Sequence, residues 1–270
     1  MELLDPQLVR AGLVILLGVF GLMIGSFLNV VIWRVPRGES IVSPPSACPS
    51  CGHTVRPRDN VPLLSWALLR GRCRDCRAPI SIRYPLVEAG TAVLFLLVLA
   101  RFGASWALPA FLYLAAIGLA LTLIDLDVHR LPNALVLPSY PAMAVMLAVA
   151  SWNPGGASDW FPLLRALMGA VILFGLYGIL FVIYPRGMGL GDVKLAGVLG
   201  LALGWLGWGS LGVGGFAAFL IGGIFSIVLL ATGRVTRKSG IPFGPWMLAG
   251  AAIGIGWGEQ IWSAYLGLLT

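Results

Sequence analysis

The chain has 270 residues, of which 59% are hydrophobic and only 11% are charged. Its mean hydropathy of +0.92 excludes a soluble globular protein and predicts a chain that crosses a membrane several times. The net charge of +7 does not indicate a nucleic-acid-binding protein, because no basic groove interleaved with aromatic residues is visible.

Apolar runs of about 20 residues recur along the chain, and each is long enough to cross the hydrocarbon core as a helix. We predict an all-α fold, a polytopic membrane helix bundle of about eight transmembrane helices. The first run lacks a small-residue cleavage site, so we expect a retained helix rather than a cleaved signal peptide. The predicted spans are 11–33, 86–102, 105–124, 134–152, 163–184, 193–208, 210–231 and 243–266.

The basic residues predict the orientation of these helices. Nine of the 18 Lys and Arg residues lie between Arg34 and Arg83, in one segment between two predicted spans. With the N-terminus outside, that segment is cytoplasmic, and the positive-inside rule is obeyed. Attraction to anionic lipid headgroups is a secondary effect of the same charges. The further cytoplasmic charges are then Arg130, Arg186, Lys194, Arg234, Arg237 and Lys238, and the outer charges are Arg10, Arg101 and Arg165.

This orientation predicts three parts of the chain. Residues 1–33 form the first transmembrane helix, residues 34–84 form a small cytoplasmic module, and residues 85–270 form the remaining membrane domain. The module is too short to build a large hydrophobic core unaided.

All four cysteines lie in that module, as the pairs Cys48/Cys51 and Cys73/Cys76. Two C-x-x-C pairs at this separation predict a tetrahedral, structural Zn²⁺ site, which would supply the folding free energy that the module lacks. Two disulfides are the alternative, which the reducing cytoplasm disfavours. A thioredoxin-like redox site is disfavoured because no βαβ pattern surrounds the pairs. His53 could replace one ligand, although a surface histidine is the plainer interpretation.

Asp125 and Asp192 each lie at the edge of a long apolar run. A carboxylate at membrane depth is costly, and its presence is a hypothesis of function. Asp192 follows a glycine-rich segment that a substrate backbone could approach, and it falls in the first turn of a predicted helix, where the helix dipole favours a carboxylate. The alternative is an ordinary N-cap aspartate.

Asp125 and Asp127 follow the third predicted helix, and the alternative is that they are juxtamembrane charges partnered by His129 and Arg130. The orientation brings Asp125 and Asp192 to the same membrane face. Two adjacent carboxyls cannot both ionise easily, so the pair is expected to share one proton and to activate water for peptide hydrolysis. The competing hypothesis is a transporter or scaffold with ion-binding aspartates and a zinc docking module.

These segments resemble the type IV prepilin peptidases, which are bifunctional leader peptidase/N-methyltransferases of bacterial pilus and type II secretion systems. The resemblance covers nearly the whole chain, with several long motifs in the family's order. The motifs are GSFLNVVIWRVP (Gly25–Pro36), both cysteine pairs, NVPLLSWALLRGRCRDC (Asn60–Cys76), ISIRYPLVE (Ile80–Glu88), IDLDVHRLPN (Ile124–Asn133) and GMGLGDVKLAG (Gly187–Gly197).

The resemblance implies an aspartyl protease of the Gly-x-Gly-Asp class in the bacterial inner membrane. Its catalytic carboxylates correspond to Asp125 and Asp192, with Asp125 selected over Asp127 because the family places the first carboxylate eight residues before the position of Asn133. The implied substrate is a prepilin or pseudopilin precursor, cut on the cytoplasmic side after a glycine that ends a short basic leader. The residues expected to support the motifs are Gly189, Gly191, Asp127, Lys194 and Glu88.

The resemblance also implies methylation of the new N-terminus with S-adenosyl-L-methionine. No strand–G-x-G-x-x-G–helix unit is present, so the residues themselves do not locate this activity. The N-terminal part with the zinc module is the expected place, where Glu88, Arg70, Arg72 and Arg83 could contact substrate or cofactor. A lipid-facing belt is the alternative for the arginines.

Overall fold

The structure, a computed structural model, describes residues 6–185, 188–233 and 241–269. Within these ranges the chain forms nine α-helices and two isolated antiparallel bridges. The helices are α1 (Pro6–Arg34), α2 (Leu64–Leu68), α3 (Arg83–Phe102), α4 (Leu108–Val128), α5 (Asn133–Trp152), α6 (Phe161–Ile183), α7 (Leu190–Leu206), α8 (Trp208–Ala231) and α9 (Gly244–Gly267). Five residues used in the sequence analysis lie outside the described residues: Arg186, Gly187, Arg234, Arg237 and Lys238.

All eight predicted long helices are present, but two ends that matter for the site were predicted wrongly. α4 continues to Val128 rather than ending at residue 124, so Asp125 and Asp127 lie within its last turns. The helix ends at His129, which adopts the left-handed conformation (φ 52°) and donates its backbone N–H to Asp125 O. α7 begins at Leu190, three residues earlier than predicted, because the extended residue Gly189 is already its N-cap.

Six of the eight long helices, namely α1, α3, α4, α5, α6 and α8, are long and apolar enough to cross a membrane. Much of their apolar surface faces outward: Val171 is 72% exposed and Ile227 is 67% exposed. Such a surface is stable only against lipid, so the chain is a multi-pass membrane protein. The crossing of α7 and α9 remains a prediction.

The chain divides into two compact units. The first comprises residues 1–104 and 112–120, and the second comprises residues 105–111 and 121–270. The predicted three-part division of the chain remains a prediction. In the first unit, α1 packs closely against α3, because glycines of α1 face the α3 backbone. A Cβ atom added at Gly21 would lie 2.6 Å from Ala92 Cα, and one added at Gly25 would lie 2.6 Å from Glu88 Cα.

In the second unit, small residues again permit the closest helix contacts. A Cβ atom at Gly169 of α6 would lie 2.5 Å from Gly200 O of α7, and one at Gly250 of α9 would lie 2.5 Å from Ala218 N of α8. The side chain of Arg165 donates to the carbonyls of the last turn of α7, which fixes that helix end against α6. These contacts determine where the opposite end of α7, which carries Asp192, can lie.

We predict that Gly169→Ala destabilises the protein. The added methyl group would press on the α7 backbone, and overpacking of this kind costs about 1–3 kcal/mol of unfolding free energy. Gly175→Ala on the same helix is the matched control, because a Cβ atom there meets nothing within 4 Å. Thermal unfolding of the two variants in detergent measures the difference. Equal midpoints would contradict the proposed importance of this contact.

Candidate functional site

Asp192 lies at the third position of α7 and is 92% removed from solvent contact, with only 8% of its surface exposed. Its Oδ2 accepts a hydrogen bond of 2.9 Å from the backbone N–H of Gly189, the N-cap residue. The N-cap residue is therefore Gly189, and the alternative interpretation of Asp192 as an ordinary N-cap aspartate is wrong. The N-terminal end of the helix dipole and this N–H group both favour an ionised carboxylate at this position.

Asp125 lies one turn from the end of α4 and is 4% exposed. Its Oδ2 accepts a hydrogen bond of 3.0 Å from the backbone N–H of Gly244, the first residue of α9. A side chain at residue 244 would collide with this carboxylate, since an added Cβ atom would lie 2.7 Å from Oδ2. The absence of a side chain at Gly244 thus lets the start of α9 approach Asp125.

Leu131 connects the surroundings of the two aspartates. Its Cβ lies 2.9 Å from the position that a Cβ atom would take at Gly191, and its Cδ2 lies 3.3 Å from the corresponding position at Gly244. One leucine side chain therefore contacts both the residue before Asp192 and the residue bonded to Asp125. The two carboxyls are also close enough to interact electrostatically. In the described residues neither Asp125 nor Asp192 forms a salt bridge with Lys or Arg.

An aromatic cluster borders the same region. Tyr177 of α6 is 2% exposed, and its ring centre lies 5.1 Å from that of Phe219. The next residue, Gly178, faces the start of α7, since a Cβ atom added there would lie 3.8 Å from Cγ1 of Val193, which follows Asp192. Phe243, the residue before Gly244, completes the cluster at 5.3 Å from Phe219. The cluster therefore lies beside the starts of α7 and α9.

Lys194, two residues after Asp192 in α7, points to the start of α5. Its Nζ donates a hydrogen bond of 3.0 Å to Asn133 Oδ1, and its backbone carbonyl accepts one of 2.6 Å from the hydroxyl of Tyr140. Tyr140 lies so close to Gly197 that a side chain at that residue would overlap its hydroxyl. This set of contacts attaches α7 to α5 and orients the helix turn that carries Asp192.

Two further residues were predicted to support the motifs, Asp127 and Glu88. Asp127 is exposed on the last turn of α4. Glu88 of α3 belongs to the first unit, is 8% exposed, and accepts a hydrogen bond of 2.8 Å from the backbone N–H of Leu63. Leu63 has a positive φ of 57°, so this carboxylate stabilises a strained backbone position of the module, residues 34–84.

The four cysteines form one cluster, as predicted. All four sulfur atoms lie within 4.8 Å of one another, and Cys48 Sγ and Cys76 Sγ are 3.8 Å apart. A tetrahedral zinc site with bonds of about 2.3 Å separates its sulfur atoms by about 3.8 Å, so the cluster fits a metal ion of this kind. Backbone N–H groups, that of Ser50 first, lower the pKa of Cys48 to about 6, whereas at Cys51 the backbone hydrogen bond at His53 is outweighed by burial and the neighbouring thiols, which raise the pKa to about 12. No disulfide joins these cysteines.

Two ion pairs join the segments that carry the cysteines. Arg56 bonds to Asp75 at 2.7 Å, and Arg74 bonds to Asp59 at 2.6 Å. The hydrogen bond from Arg74 lowers the pKa of Asp59, so this pair is lost only when the pH falls well below neutrality. Each of the two segments thus supplies one arginine and one aspartate, and the two ion pairs hold the cysteine pairs towards each other.

Sequence reasoning missed three residues of the site: Leu131, Tyr177 and Gly244. Leu131 and Tyr177 are apolar or aromatic residues in membrane segments and carry no distinguishing signal. Gly244 did carry one, because a glycine followed by Pro245 at the start of a helix indicates a close approach of the backbone.

Comparisons with known proteins agree with the motif pattern. Residues 19–102 match the Bacterial Peptidase A24 N-terminal domain, and residues 112–231 match the Type IV leader peptidase family. A protein of Aeromonas salmonicida (strain A449) called prepilin leader peptidase/N-methyltransferase is 36% identical over 92% of this chain and 91% of its own length. Proteins with the same name from Pseudomonas aeruginosa and Neisseria gonorrhoeae are each 36% identical, the first over 91% of both chains and the second over 94% of both. No solved structure matches the chain.

We predict that Cys73→Ser removes the bound metal from the purified protein and destabilises residues 34–84, because one of four thiolate ligands is lost from the cluster. His53→Ala is the control, since His53 is exposed and lies outside the group of clustered ligands. Metal content measured by inductively coupled plasma mass spectrometry distinguishes the two. Loss of metal in the His53 variant would show that histidine, rather than four cysteines, completes the site.

Proposed function

Because the chain belongs to the type IV leader peptidase family, we propose that it removes the leader peptide from prepilin or pseudopilin precursors and methylates the N-terminus that cleavage exposes. The relatives carry both activities in their names and match almost the full chain. We propose Asp125 and Asp192 as the catalytic pair. The observation that carries this assignment is that both carboxyls are buried at helix ends, and that Leu131 contacts both Gly191, the residue before Asp192, and Gly244, whose backbone N–H bonds to Asp125.

The hydrogen bonding of the pair suits a water-activating role. In the described residues only Oδ2 of each carboxyl accepts a protein hydrogen bond, from Gly189 at Asp192 and from Gly244 at Asp125. This leaves Oδ1 of each available to a water molecule or to a substrate carbonyl. Two backbone donors on two different helices thus orient the carboxyls without neutralising them by a cation.

We propose that one proton is shared by the pair at the start of the reaction. The ionised carboxylate takes a proton from water, and the resulting hydroxide attacks the scissile carbonyl carbon. The protonated carboxyl donates a hydrogen bond to the carbonyl oxygen, which becomes the oxyanion of the tetrahedral intermediate. Proton transfer to the amine nitrogen then breaks the C–N bond and returns the pair to its starting state. No side-chain nucleophile takes part.

Methylation requires a separate donor, which we propose to be S-adenosyl-L-methionine. When bound, this donor would supply the methyl group that the free amine produced by cleavage accepts. Glu88, which accepts a hydrogen bond from the Leu63 backbone, and Arg83 remain the proposed region for this activity. For Arg70 and Arg72 the lipid-facing alternative is favoured, because both are exposed and form no ion pair in the described residues.

We propose zinc as the metal of the four-cysteine cluster. Four thiolates leave no open coordination position, so this ion would be structural and would take no part in hydrolysis. The proposed location is the bacterial inner membrane, with the N-terminus outside and the module and the aspartate pair on the cytoplasmic side, because the basic residues concentrate there. The precursor would then be cut where its basic leader remains in the cytoplasm.

The transporter or scaffold hypothesis is not favoured. It expects an ionisable residue near the bilayer midplane, on a pathway across the membrane. Asp125 lies three residues before the end of α4, and Asp192 lies at the third position of α7. Carboxyls at helix ends suit a substrate that reaches them from one membrane face.

We predict that Asp125→Asn and Asp192→Asn each lower the cleavage rate by about 10²–10⁴-fold, as expected for the loss of an acid–base group. The double variant should be no slower than either single one, because the two groups act as a unit. Mass spectrometry of a precursor incubated with membranes and S-adenosyl-L-methionine reports both leader loss and the gain of a methyl group.

Two variants control this experiment. Asp159→Asn keeps an Oδ1 atom that can accept the hydrogen bond from the Phe161 backbone N–H, and this variant should cleave normally. Asp127→Asn tests the choice between the two aspartates of α4, and exposed Asp127 is expected to tolerate the change. Normal cleavage by Asp125→Asn, or loss of cleavage in Asp127→Asn alone, would refute the assigned pair.

We predict that Gly244→Ala slows cleavage by about 100-fold while the protein remains folded, since the methyl group would displace the Asp125 carboxyl. Gly256→Ala on the same helix is the control, because a Cβ atom there contacts nothing within 4 Å. Comparison of kcat and KM for both variants is the measurement. A change confined to KM would show that residue 244 contacts substrate instead of positioning the aspartate.

A further inference from the structure

The short helix α2 has an apolar face that nothing in the described residues covers. Leu64 and Leu68, one turn apart on the same side, are 55% and 73% exposed. The opposite side is fixed to the module: Ser65 is buried and bonds to Arg58 O, and Trp66 Nε1 donates to Ile80 O. The helix therefore holds its two leucines outward in a defined direction.

The height of α2 relative to the membrane follows from its attachment to α3. The residue before α2, Leu63, bonds through its backbone N–H to Glu88, which lies in the second turn of α3. At 1.5 Å per residue, Glu88 is about 6 Å further along α3 than Tyr84. Tyr84 and Trp33 are exposed aromatic residues at the adjoining ends of α3 and α1, and such residues mark the headgroup level of a bilayer. The contact with Glu88 thus brings the start of α2 to the interface between headgroups and acyl chains.

Basic residues follow the apolar face directly. Arg70 and Arg72 lie just after α2, are exposed, and form no ion pair within the described part of the chain. Two of the three acidic residues of the same module, Asp59 and Asp75, are already paired with Arg74 and Arg56. An apolar face beside unpaired arginines is complementary to a layer of acyl chains beneath anionic headgroups.

We propose that α2 is an interfacial anchor, with Leu64 and Leu68 inserted into the leaflet at which α1 ends and α3 begins, and with Arg70 and Arg72 bound to anionic phospholipid headgroups. The anchor holds the metal-binding module flat against the membrane through a contact separate from its two covalent connections. The apolar face of α2 therefore contacts lipid. Contact of this face with a partner protein is the alternative that the test distinguishes.

The test uses the full-length protein with p-benzoyl-phenylalanine at position 68, reconstituted in phosphatidylcholine vesicles with phosphatidylglycerol. Position 55 carries the probe in the control protein, since Val55 is another exposed aliphatic residue of the module but lies beside the first cysteine pair. After irradiation, mass spectrometry should find several-fold more lipid adduct at position 68, enriched in phosphatidylglycerol relative to its share of the vesicle. Adducts to protein at position 68, or equal lipid adducts at the two positions, would overturn the proposal.

The arginines are tested with the same probe. Arg70→Gln with Arg72→Gln should abolish the enrichment in phosphatidylglycerol, and Arg70→Lys with Arg72→Lys should retain it. Enrichment that survives removal of both charges would overturn the headgroup assignment. Hydrogen exchange in the unsubstituted protein tests the anchor without a probe. Exchange of the backbone amides of residues 61–72 should be slower in vesicles that contain phosphatidylglycerol than in vesicles of phosphatidylcholine alone. Identical exchange in the two lipids would also refute the anchor.

Discussion

The proposed site depends on how two carboxyl groups are kept in an apolar bundle where, among the described residues, neither forms an ion pair with Lys or Arg. Removing a carboxylate from water costs several kcal/mol unless other dipoles replace the lost hydration. Asp125 and Asp192 receive that replacement from the backbone N–H groups at the starts of α9 and α7. A helix start has unpaired N–H groups and a favourable dipole, so it can stabilise a carboxylate while leaving one oxygen free to react. An arginine in the same place would have held the carboxylate too firmly ionised to exchange protons.

This arrangement explains why glycines determine the geometry. Gly244 must lack a side chain for α9 to reach Asp125, and Gly191 must lack one for Leu131 to lie against α7. Further from the site, Gly169 lets α6 and α7 touch through their backbones. Lipid provides no hydrophobic force to press helices together, so close backbone contact is the main source of their association. The glycines far from the aspartates therefore contribute to the position of the reacting groups.

The module of residues 34–84 must be stable with about 50 residues and without a large core. Its segments are oriented by two ion pairs and by a cluster of four cysteines that could hold a metal ion. Glu88 then joins the module to α3, and this buried carboxylate too is satisfied by a backbone N–H group. Among the described residues, a buried carboxylate that accepts a hydrogen bond from a backbone N–H group thus occurs at Asp125, Asp192 and Glu88, each time at the start of a helix.

Composition, apolar runs and basic flanks were sufficient to predict an all-α membrane protein, its eight long helices and the metal cluster. These features can be recognised within short segments of sequence. A transmembrane span needs about 20 apolar residues, and the spacing of two C-x-x-C pairs is typical of a metal site. The two aspartates could be selected from the sequence because charges in apolar segments are rare. The groups that donate hydrogen bonds to these aspartates could not be identified from the sequence. Gly244 is 119 residues from Asp125 and donates through its backbone N–H, a group that nearly every residue type has.

The sequence by itself therefore determined which segments are helical and membrane-embedded, and which few polar residues need an explanation. Only the tertiary structure decided that Gly244, Leu131 and Tyr177 surround the aspartates, that Glu88 supports the module, and that α2 presents its leucines outward. The physical reason is that these roles arise from contacts between distant segments, and a glycine N–H or a leucine methyl group acquires its function only from the groups that packing brings against it.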